Sequence, residues 1–343
     1  MTVSLAGGVL DVNPPAELDH VVEQLRKHYR SPELALDGPP HRLRGGFWAE
    51  MWTLTLTEPT GSPLPTRVVL RIAPDPRLAA RETAVQAGVA AQGYPTPRIH
   101  ASGTAHDGQR AWSVMDFATG QPLLADLDGL RALTALPRLA TRLPDTLAHA
   151  AVALHQLDPD PIEAELSALT DGSTGIDGLL DHYLGHMPTL GDERLRRLVE
   201  RVAVTRPDER PRVICHGDLH PFNVLSNGNR HVVLDWTAAR ITHPAYDLAF
   251  THLLLAHPPL DAPRPLRPII NAAARRIANR FLTTYGKRSQ HIIDSDTLDW
   301  YRSLHACRIL IDLADWRAND TTDHHHGHPW FTIETALVPL LGT

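Results

Sequence analysis

The chain has little cysteine and no long apolar run, and each shortage excludes a class of protein. Its only cysteines are Cys215 and Cys307, which are too few for a disulfide framework and lack the paired spacing of a zinc site. No window approaches 18 uninterrupted apolar residues, and no basic segment precedes the short apolar stretch at the N-terminus. The sequence therefore predicts neither a membrane span nor a signal peptide. We expect a cytoplasmic protein with reduced thiols and no membrane partner.

The chain also lacks an excess of positive charge. Lys and Arg number 33 against 39 Asp and Glu, which gives a net charge of −6. This balance provides no basic field for the phosphate backbone of a nucleic acid, so we expect no nucleic-acid partner. Lysine occurs only at Lys27 and Lys287, so almost every cation is an arginine. These features do not predict an oligomeric state.

What remains is the composition of an ordinary globular protein, with 343 residues of which 43% are hydrophobic. One hydrophobic core rarely serves so long a chain, so we expect two domains. After a helix predicted over 16–29, alternating and β-branched runs predict antiparallel strands, with one helix inserted after Asp75. Leu/Ala-rich periodicity from about residue 123 predicts helices. We predict the α+β class, with an N-terminal domain over 1–117 and a mainly helical domain over 118–343.

The segment HGDLHPFN, residues 216–223, contains the residues that carry chemistry. Asp218 and Asn223 stand five positions apart, and Asp235 follows a second apolar run, in LDW. Phosphoryl transfer uses such a set, because a carboxylate accepts or orients the hydroxyl proton and neighbouring oxygens bind Mg²⁺. Asp218 is therefore the candidate catalytic residue, and Asn223 and Asp235 are the candidate metal ligands. The alternative is a polar loop without chemistry in which Asp235 is a turn residue.

This segment resembles the aminoglycoside phosphotransferase family, whose catalytic loop reads HGDxxxxN and precedes a metal-binding Asp in an I/L-D-W/F/Y context. The resemblance implies a bilobal, protein-kinase-like fold with ATP or GTP bound in the cleft and Mg²⁺ as the cofactor. It assigns the catalytic base to Asp218 and metal ligation to Asn223 and Asp235. The acceptor it implies is a hydroxyl of a small molecule.

The resemblance also implies residues that support the catalytic loop. His216 opens the loop motif, and Asp247, in HPAYDLA, matches the acid that braces the loop through hydrogen bonds. His155, in ALHQLD, matches a histidine that lies behind the loop, although a core histidine without function is the alternative.

Four residues of the first domain match the nucleotide-binding positions of this family. Gly45 and Gly46, in LRGGFW, would let the backbone approach phosphates, with an ordinary β-turn as the alternative. Arg71, in RVVLRIA, occupies the strand position where kinases carry lysine, and Glu82 in the following helix is its expected ion-pair partner. Arginine binds carboxylate or phosphate bidentately but is not interchangeable with lysine. The alternative is that Arg71 is a solvated charge at a strand edge.

The segment VMDFATG is predicted to be the hinge between the domains. The backbone of Asp116, Phe117 and Ala118 would face the edge of the purine, and Met115 would pack behind it. Any buried strand that ends at a turn would show the same pattern.

A predicted C-terminal helix places Asp312 and Asp315 on one face with Tyr301, His305 and Arg308. The resemblance puts C-terminal helices beside the acceptor, so these two acids are candidates for binding a cationic acceptor. The alternative is an exposed face with an Arg308–Asp312 pair. The histidines of the run 324–328 lack a completing carboxylate pattern, and we assign them no metal.

Together these observations predict an ATP- or GTP-dependent small-molecule O-phosphotransferase. The acceptor could be an antibiotic, such as an aminoglycoside or a macrolide, or a metabolic sugar or amino alcohol. A nucleotide-binding pseudokinase or scaffold is the alternative that Arg71 suggests, and the complete set of Asp218, Asn223 and Asp235 argues against it. A protein kinase is disfavoured because LDWTAARITHPAYDLA passes almost directly into a helix, without an activation segment.

Overall fold

The structure is a computed structural model. It describes residues 15–43, 49–57, 64–105, 108–124, 129–169, 174–228, 230–258, 265, 267–319 and 328–338. The predicted phosphate-loop glycines Gly45 and Gly46 lie outside the described residues, as do His324, His325 and His326. Among the described residues, no helix is both long and apolar enough to cross a membrane.

The elements are numbered in chain order. The strands are β1 (His41–Arg42), β2 (Glu50–Thr55), β3 (Arg67–Ala73), β4 (Ile99–Thr104), β5 (Ala111–Asp116), β6 (Gln121–Pro122), β7 (Val213–Cys215), β8 (Val224–Asn227), β9 (Arg230–Val233) and β10 (Arg240–Thr242). The helices are α1 (Leu18–Tyr29), α2 (Pro76–Ala91), α3 (Gly129–His155), α4 (Asp160–Leu169), α5 (Asp177–Leu190), α6 (Glu193–Val204), α7 (Ala245–Ala256), α8 (Arg267–Arg288), α9 (Ser295–Ala318) and α10 (Pro329–Leu337).

The chain divides into two compact units. The N-terminal unit comprises Thr2–Asp126 and Val224–Thr237, and the helical unit comprises Leu127–Asn223 and Ala238–Thr343. This division differs from the predicted boundary at residue 117 because β6 pairs with β8, and β8 pairs with β9, in a three-stranded sheet. Asp235 and Asp218 therefore belong to different units.

The N-terminal unit is built on an antiparallel sheet of five strands in the order β1-β2-β3-β5-β4. Val68, Leu70 and Ile72 of β3 are buried in a hydrophobic cluster that also contains residues of α1, such as Leu25. Because successive side chains of a strand alternate between faces, Arg71 lies on the opposite face of the sheet. The strand conformation of RVVLRIA thus fixes the face on which this arginine lies.

Helix α2 begins where the sequence predicts a helix. The Asp75 side chain caps it by accepting the N–H groups of Arg77 and Leu78, and Pro76 occupies the first turn, where a missing N–H costs nothing. Glu82 follows two turns into the helix and is buried. The cap therefore sets the start of the helix that positions this acid.

The helical unit has its core among α5, α6, α7, α9 and α10, together with residues of β7. Strand β7 pairs antiparallel with β10, with Cys215 opposite Arg240. The largest buried side chains of this core include Tyr246, Phe250 and Tyr301. An antiparallel sheet in one unit and a mainly helical second unit confirm the predicted α+β class.

Candidate active site

The loop over 216–223 joins β7 to β8 and brings Asp218 and Asn223 into contact. The Asn223 side-chain amide donates to Oδ2 of Asp218 at 3.0 Å and to its carbonyl oxygen at 3.0 Å. The Asp218 side chain keeps 23% of its surface exposed, so a bound molecule has access to it. Because both bonds use the amide nitrogen, Asn223 retains its amide oxygen as a ligand atom.

Positive and imidazole groups surround the Asp218 carboxylate. Burial alone would raise the pKa of Asp218, but His220, Arg308 and His216 outweigh that effect and hold the pKa well below its usual value. Nε2 of His220 lies 3.5 Å from Oδ2 of Asp218. The residue is therefore an anion at any physiological pH, suited to accepting a hydrogen bond from a hydroxyl and orienting it.

Helix α7 anchors the loop backbone through the fully buried Asp247. Its two oxygens accept the N–H of His216 at 2.9 Å and the N–H of Gly217 at 2.6 Å. Behind it, Nε2 of His155 lies 3.1 Å from the carboxylate, and Nδ1 of the same ring lies 2.8 Å from the Tyr285 hydroxyl. Burial would raise the pKa of Asp247, but the His155 hydrogen bond and neighbouring imidazoles lower it below its usual value.

Two further contacts fix the loop path. Thr251, one turn after Asp247 on α7, donates to the carbonyl of Leu219 at 2.6 Å. Gly217 has φ of +74°, and a Cβ there would collide with the carbonyl oxygen of Ala238. Only glycine satisfies both demands, which accounts for the glycine between His216 and Asp218.

In the N-terminal unit, Arg71 forms an ion pair with Glu82. Nη2 of Arg71 also lies 3.4 Å from Oγ1 of Thr237, which is 2.6 Å from Oδ1 of Asp235. The side chain of Arg71 is only 13% exposed and that of Glu82 only 5%. The alternative of a solvated strand-edge charge does not describe this arginine.

Asp235 and Glu82, the two acids beside Arg71 and Thr237, each have one unusual property. Asp235 has φ of +66°, a left-handed conformation that Asp and Asn tolerate better than most residues. Burial, reinforced by the charge of Asp235, raises the pKa of Glu82 to about 7 although Arg71 opposes the shift. The ion pair is therefore fully charged only above neutral pH.

The predicted hinge segment includes the end of β5. There the backbone N–H and the carboxylate of Asp116 form hydrogen bonds with other residues of the protein. Its backbone N–H donates to the carbonyl of Arg98 at 3.0 Å, and its carboxylate accepts from Nε of Arg98 at 3.0 Å and lies 2.7 Å from Nε2 of His100. Burial would raise the pKa of Asp116, but these hydrogen bonds lower it. Its N–H is thus already bonded and is not the donor for a purine.

Met115, Phe117 and Ala118 are the other residues of the predicted hinge. Met115 is buried, with Sδ at 3.7 Å from Nε2 of Gln86. The guanidinium of Arg67 lies 3.7 Å from the centre of the Phe117 ring, and Ala118 is half-buried. The carbonyl oxygen of Asp116 and the backbone of Phe117 and Ala118 stay predicted contacts for a nucleotide.

The predicted face of α9 is not an exposed face, which was the alternative to acceptor binding. Tyr301 and His305 are buried, and Nε2 of His305 lies 2.7 Å from the carbonyl of Tyr246. Asp315 is partly exposed and lies 3.1 Å from Nε2 of His186. Asp312 is half-buried, and burial raises its pKa to about 6 despite the opposing charge of Arg308. Only the last turns of this face therefore reach the surface.

Sequence reasoning missed the contacts of three residues, Thr237, Thr251 and Arg308. Thr237 contacts both Glu82 and Asp235. Thr251 donates to the carbonyl of Leu219 in the loop, and Arg308 donates to the carbonyl of Gly217 at 2.9 Å. The position of Thr237 two residues after Asp235 was a usable signal, because such spacing allows a local hydrogen bond. Thr251 and Arg308 act across long sequence separations that no local pattern reports.

The model of the phosphotransferase enzyme family, APH, matches residues 41–283. The solved structures that this fold resembles include a candidate aminoglycoside phosphotransferase from Ralstonia eutropha JMP134, with TM-score 0.64, 19% identity, and 94% of this chain and 95% of that chain covered. Another is macrolide 2'-phosphotransferase type I, with TM-score 0.54, 15% identity, and coverage of 96% and 99%.

A third similar structure is a thermostable mutant of aminoglycoside phosphotransferase APH(4)-Ia in a ternary complex with AMP-PNP and hygromycin B. Its TM-score is 0.54 at 17% identity, with 94% of this chain and 99% of that chain covered. No curated protein sequence matches the chain at a significant level. At these identities the similar structures establish a shared fold.

Proposed function

Because the chain belongs to the phosphotransferase enzyme family, we propose that it transfers the γ-phosphoryl group of ATP or GTP to a hydroxyl of a small molecule. The observation that carries the proposal is the partly exposed Asp218 carboxylate, held by the Asn223 amide at 3.0 Å on a loop that Asp247 anchors. A protein that catalyses no reaction has no physical need for an accessible carboxylate held in a fixed position.

Asp218 orients the acceptor in this mechanism. Its low pKa makes it a weak base, so it accepts the hydrogen bond of the acceptor hydroxyl and aims the oxygen at phosphorus. As the bond between the hydroxyl oxygen and the γ-phosphorus forms, the bond from phosphorus to the β,γ-bridging oxygen breaks and ADP or GDP leaves. The oxygen then becomes far more acidic, and its proton passes to the Asp218 carboxylate. Positioning and charge stabilisation, rather than early proton removal, account for catalysis of this type.

Asn223 and Asp235 fit the requirements of a Mg²⁺ site in their donor atoms. Asn223 has its amide nitrogen committed to Asp218, which leaves the oxygen, and Asp235 has one carboxylate oxygen that does not accept the Thr237 hydroxyl. Both are hard oxygen ligands of the kind Mg²⁺ prefers. When bound, Mg²⁺ neutralises the charge of the nucleotide phosphates.

The nucleotide is proposed to contact the N-terminal unit. Arg71, oriented by Glu82, supplies a guanidinium for a phosphate, and Thr237 keeps it beside Asp235. Phe117 and Ala118 offer backbone groups to the purine, with the buried Met115 behind them. The glycines Gly45 and Gly46 stay predicted phosphate-loop residues.

The test is turnover of MgATP and MgGTP with a panel of acceptors that includes an aminoglycoside, a macrolide, a neutral sugar and an amino alcohol. Mass spectrometry of each acceptor would show the gain of one phosphoryl group, and the same assay with Asp218→Asn would lose it. Tight nucleotide binding without transfer to any acceptor or to water would favour the pseudokinase alternative.

Removing the guanidinium of Arg71 is expected to weaken nucleotide use. Arg71→Ala should lower nucleotide affinity or kcat/KM by about 10- to 100-fold, the range for losing a charge-assisted hydrogen bond. Arg71→Lys should cause little or only partial harm, since it restores the residue that kinases usually carry. Arg77→Ala, which removes an exposed arginine of α2, is the control. Equal nucleotide affinity in calorimetric titration, together with equal kcat/KM, for Arg71→Ala and this control would refute the assignment.

Glu82→Gln is expected to change stability and activity in opposite directions. The Glu82 pKa is raised from its ordinary 4.5 to about 7, so its contribution to stability is present below pH 4.5 and lost as pH rises through 7. Gln mimics the protonated form, so the unfolding free energy of the variant should lie within about 1 kcal/mol of wild type at pH 5 and exceed it at pH 8 by up to roughly 3 kcal/mol. Its kcat/KM should nevertheless fall at pH 8, where only wild type has the charged Arg71–Glu82 pair. Thermal unfolding and kinetics at both pH values check this, and a variant less stable than wild type at pH 8 would contradict it.

The acceptor is proposed to be cationic because Asp312 and Asp315 lie on the part of α9 that reaches the surface. If they bind an amine, Asp312→Asn and Asp315→Asn should each lower kcat/KM for amine-bearing acceptors, with neutral acceptors unaffected. The Asp312 pKa of about 6 adds a pH signature, since attraction for the amine should fade below pH 6. Unchanged kcat/KM for every acceptor would remove this helix from the acceptor site.

A further inference from the structure

We propose that Arg308 is a positioning residue for the catalytic loop, in which the guanidinium holds the peptide plane that leads into Asp218. The catalytic consequence of this role rests on the proposed function. Arg308 stands on α9, 90 positions after Asp218 in the chain, so its contact with the loop arises only in the folded helical unit.

The contact with the loop is direct. Nη1 of Arg308 donates to the carbonyl oxygen of Gly217 at 2.9 Å. That carbonyl and the N–H of Asp218 belong to the same peptide plane, and the N–H donates to Nδ1 of His216 at 3.2 Å. Because the peptide unit is rigid, bonds at both of its ends fix its orientation, and with it the direction in which the Asp218 side chain leaves the backbone.

Arg308 completes a set of anchors that α7 begins. Asp247 holds the N–H of Gly217 and Thr251 holds the carbonyl of Leu219, but neither holds the peptide between Gly217 and Asp218. The glycine has the most permissive backbone of the loop, so this peptide is where an additional anchor has the greatest effect. The bond from α9 falls at that point.

The arginine itself is held in place by aromatic rings. Its guanidinium carbon lies 5.2 Å from the ring centre of Phe250 on α7 and 5.4 Å from that of Trp330 on α10. Both rings belong to buried residues, so the flat cation packs against rigid surfaces and keeps its donors in a fixed direction. Lysine offers neither a planar surface nor a fork and would hold the carbonyl less firmly.

The positive charge of Arg308 also stabilises the ionised form of Asp218. Together with His220 and His216 it lowers the pKa of Asp218 against the effect of burial. Asp312, one turn further along α9, lies near enough to influence Arg308 and to be influenced by it. Arg308 thus connects the loop to the helix face proposed for the acceptor.

The test compares Arg308→Met, Arg308→Lys and a control, Arg302→Met, which removes another α9 arginine that pairs with Asp299. In Arg308→Met we expect faster amide hydrogen exchange over residues 216–219 and a fall in kcat of about 10- to 100-fold, with KM for MgATP or MgGTP unchanged within about twofold. Arg308→Lys should recover part of both properties, and Arg302→Met should resemble wild type in both.

Exchange at wild-type rates over 216–219 in Arg308→Met would overturn the proposal, whatever the activity. If that variant does not fold, Arg308→Lys carries the test, and wild-type exchange together with wild-type kcat in it would overturn the proposal. Faster exchange in Arg308→Met with a wild-type protein that transfers no phosphoryl group would support the loop contact and reject the proposed function. The exchange and kinetic measurements therefore separate the two failures.

Discussion

Replacing Asp218 with alanine is expected to lower turnover by about 10²- to 10⁴-fold, the range for losing a positioned acid/base group. The carboxylate is the anion proposed to orient the acceptor hydroxyl, and alanine leaves nothing in its place. The proposed nucleotide contacts lie in the other unit of the chain, so the dissociation constant for MgATP or MgGTP should stay nearly unchanged. Steady-state kinetics with an identified acceptor and calorimetric titration with nucleotide measure the two quantities separately.

Two further variants sharpen this experiment. Asp218→Asn keeps the size of the side chain and its hydrogen-bonding oxygen, so it isolates the loss of charge. Glu165→Gln removes an exposed acid of α4 in the same unit and should leave turnover at the wild-type value. Near-wild-type phosphorylation by either Asp218 variant would show that this loop is not the catalytic loop.

The proposed catalytic loop could be predicted because its polar residues are adjacent in the chain. Asp218 and Asn223 lie in one loop of eight residues, so their spacing was visible in the sequence, and the structure adds the contact that the Asn223 amide makes with Asp218 at 3.0 Å. The same holds for β3, where the β-branched and apolar run RVVLRIA predicted a strand. Local periodicity and short spacing are the two kinds of information that a single sequence states directly.

What the sequence could not reveal depends on pairing between distant segments. The assignment of residues 224–237 to the N-terminal unit follows from β6 pairing with β8, with Gln121 opposite Ser226, and two-residue strands such as β6 have no periodicity to detect. Arg308 was interpretable only as a partner of Asp312, because helical spacing relates it to its own helix. Its bond to Gly217 depends on how α9 packs in the core.

Burial, too, altered the meaning of residues that were identified correctly. Glu82 was predicted as a partner of Arg71, yet only its depth in the fold raises its pKa to about 7. Tyr301 and His305 share a helix face with Asp312 but are buried, so the polar character of that face did not indicate exposure. The spacing of residues in the sequence shows which of them share a helix face. The packing of neighbouring elements decides which part of that face is exposed to solvent.

Asp235→Asn is expected to weaken nucleotide binding in a manner linked to Mg²⁺. Asparagine is the best replacement for this test, because it tolerates the left-handed φ of +66° and retains an oxygen for the Thr237 hydroxyl, so the main change is the loss of one negative charge. A neutral ligand holds Mg²⁺ less firmly beside a triphosphate. The affinity for Mg-nucleotide should fall by at least the roughly 10- to 100-fold that losing a supporting residue of a metal site costs.

The measurement is a titration of Mg²⁺ at fixed nucleotide, followed by the amount of nucleotide bound. The variant should require higher Mg²⁺ for half-maximal binding and should approach wild type as Mg²⁺ is raised, because mass action compensates for a weaker ligand. Binding without Mg²⁺ should be equal in the two proteins or stronger in the variant, since the removed charge repels phosphate. Glu33→Gln, which neutralises an exposed acid of the N-terminal unit, should leave the titration unchanged. A Mg²⁺ dependence identical to wild type in Asp235→Asn would exclude this residue from the metal site.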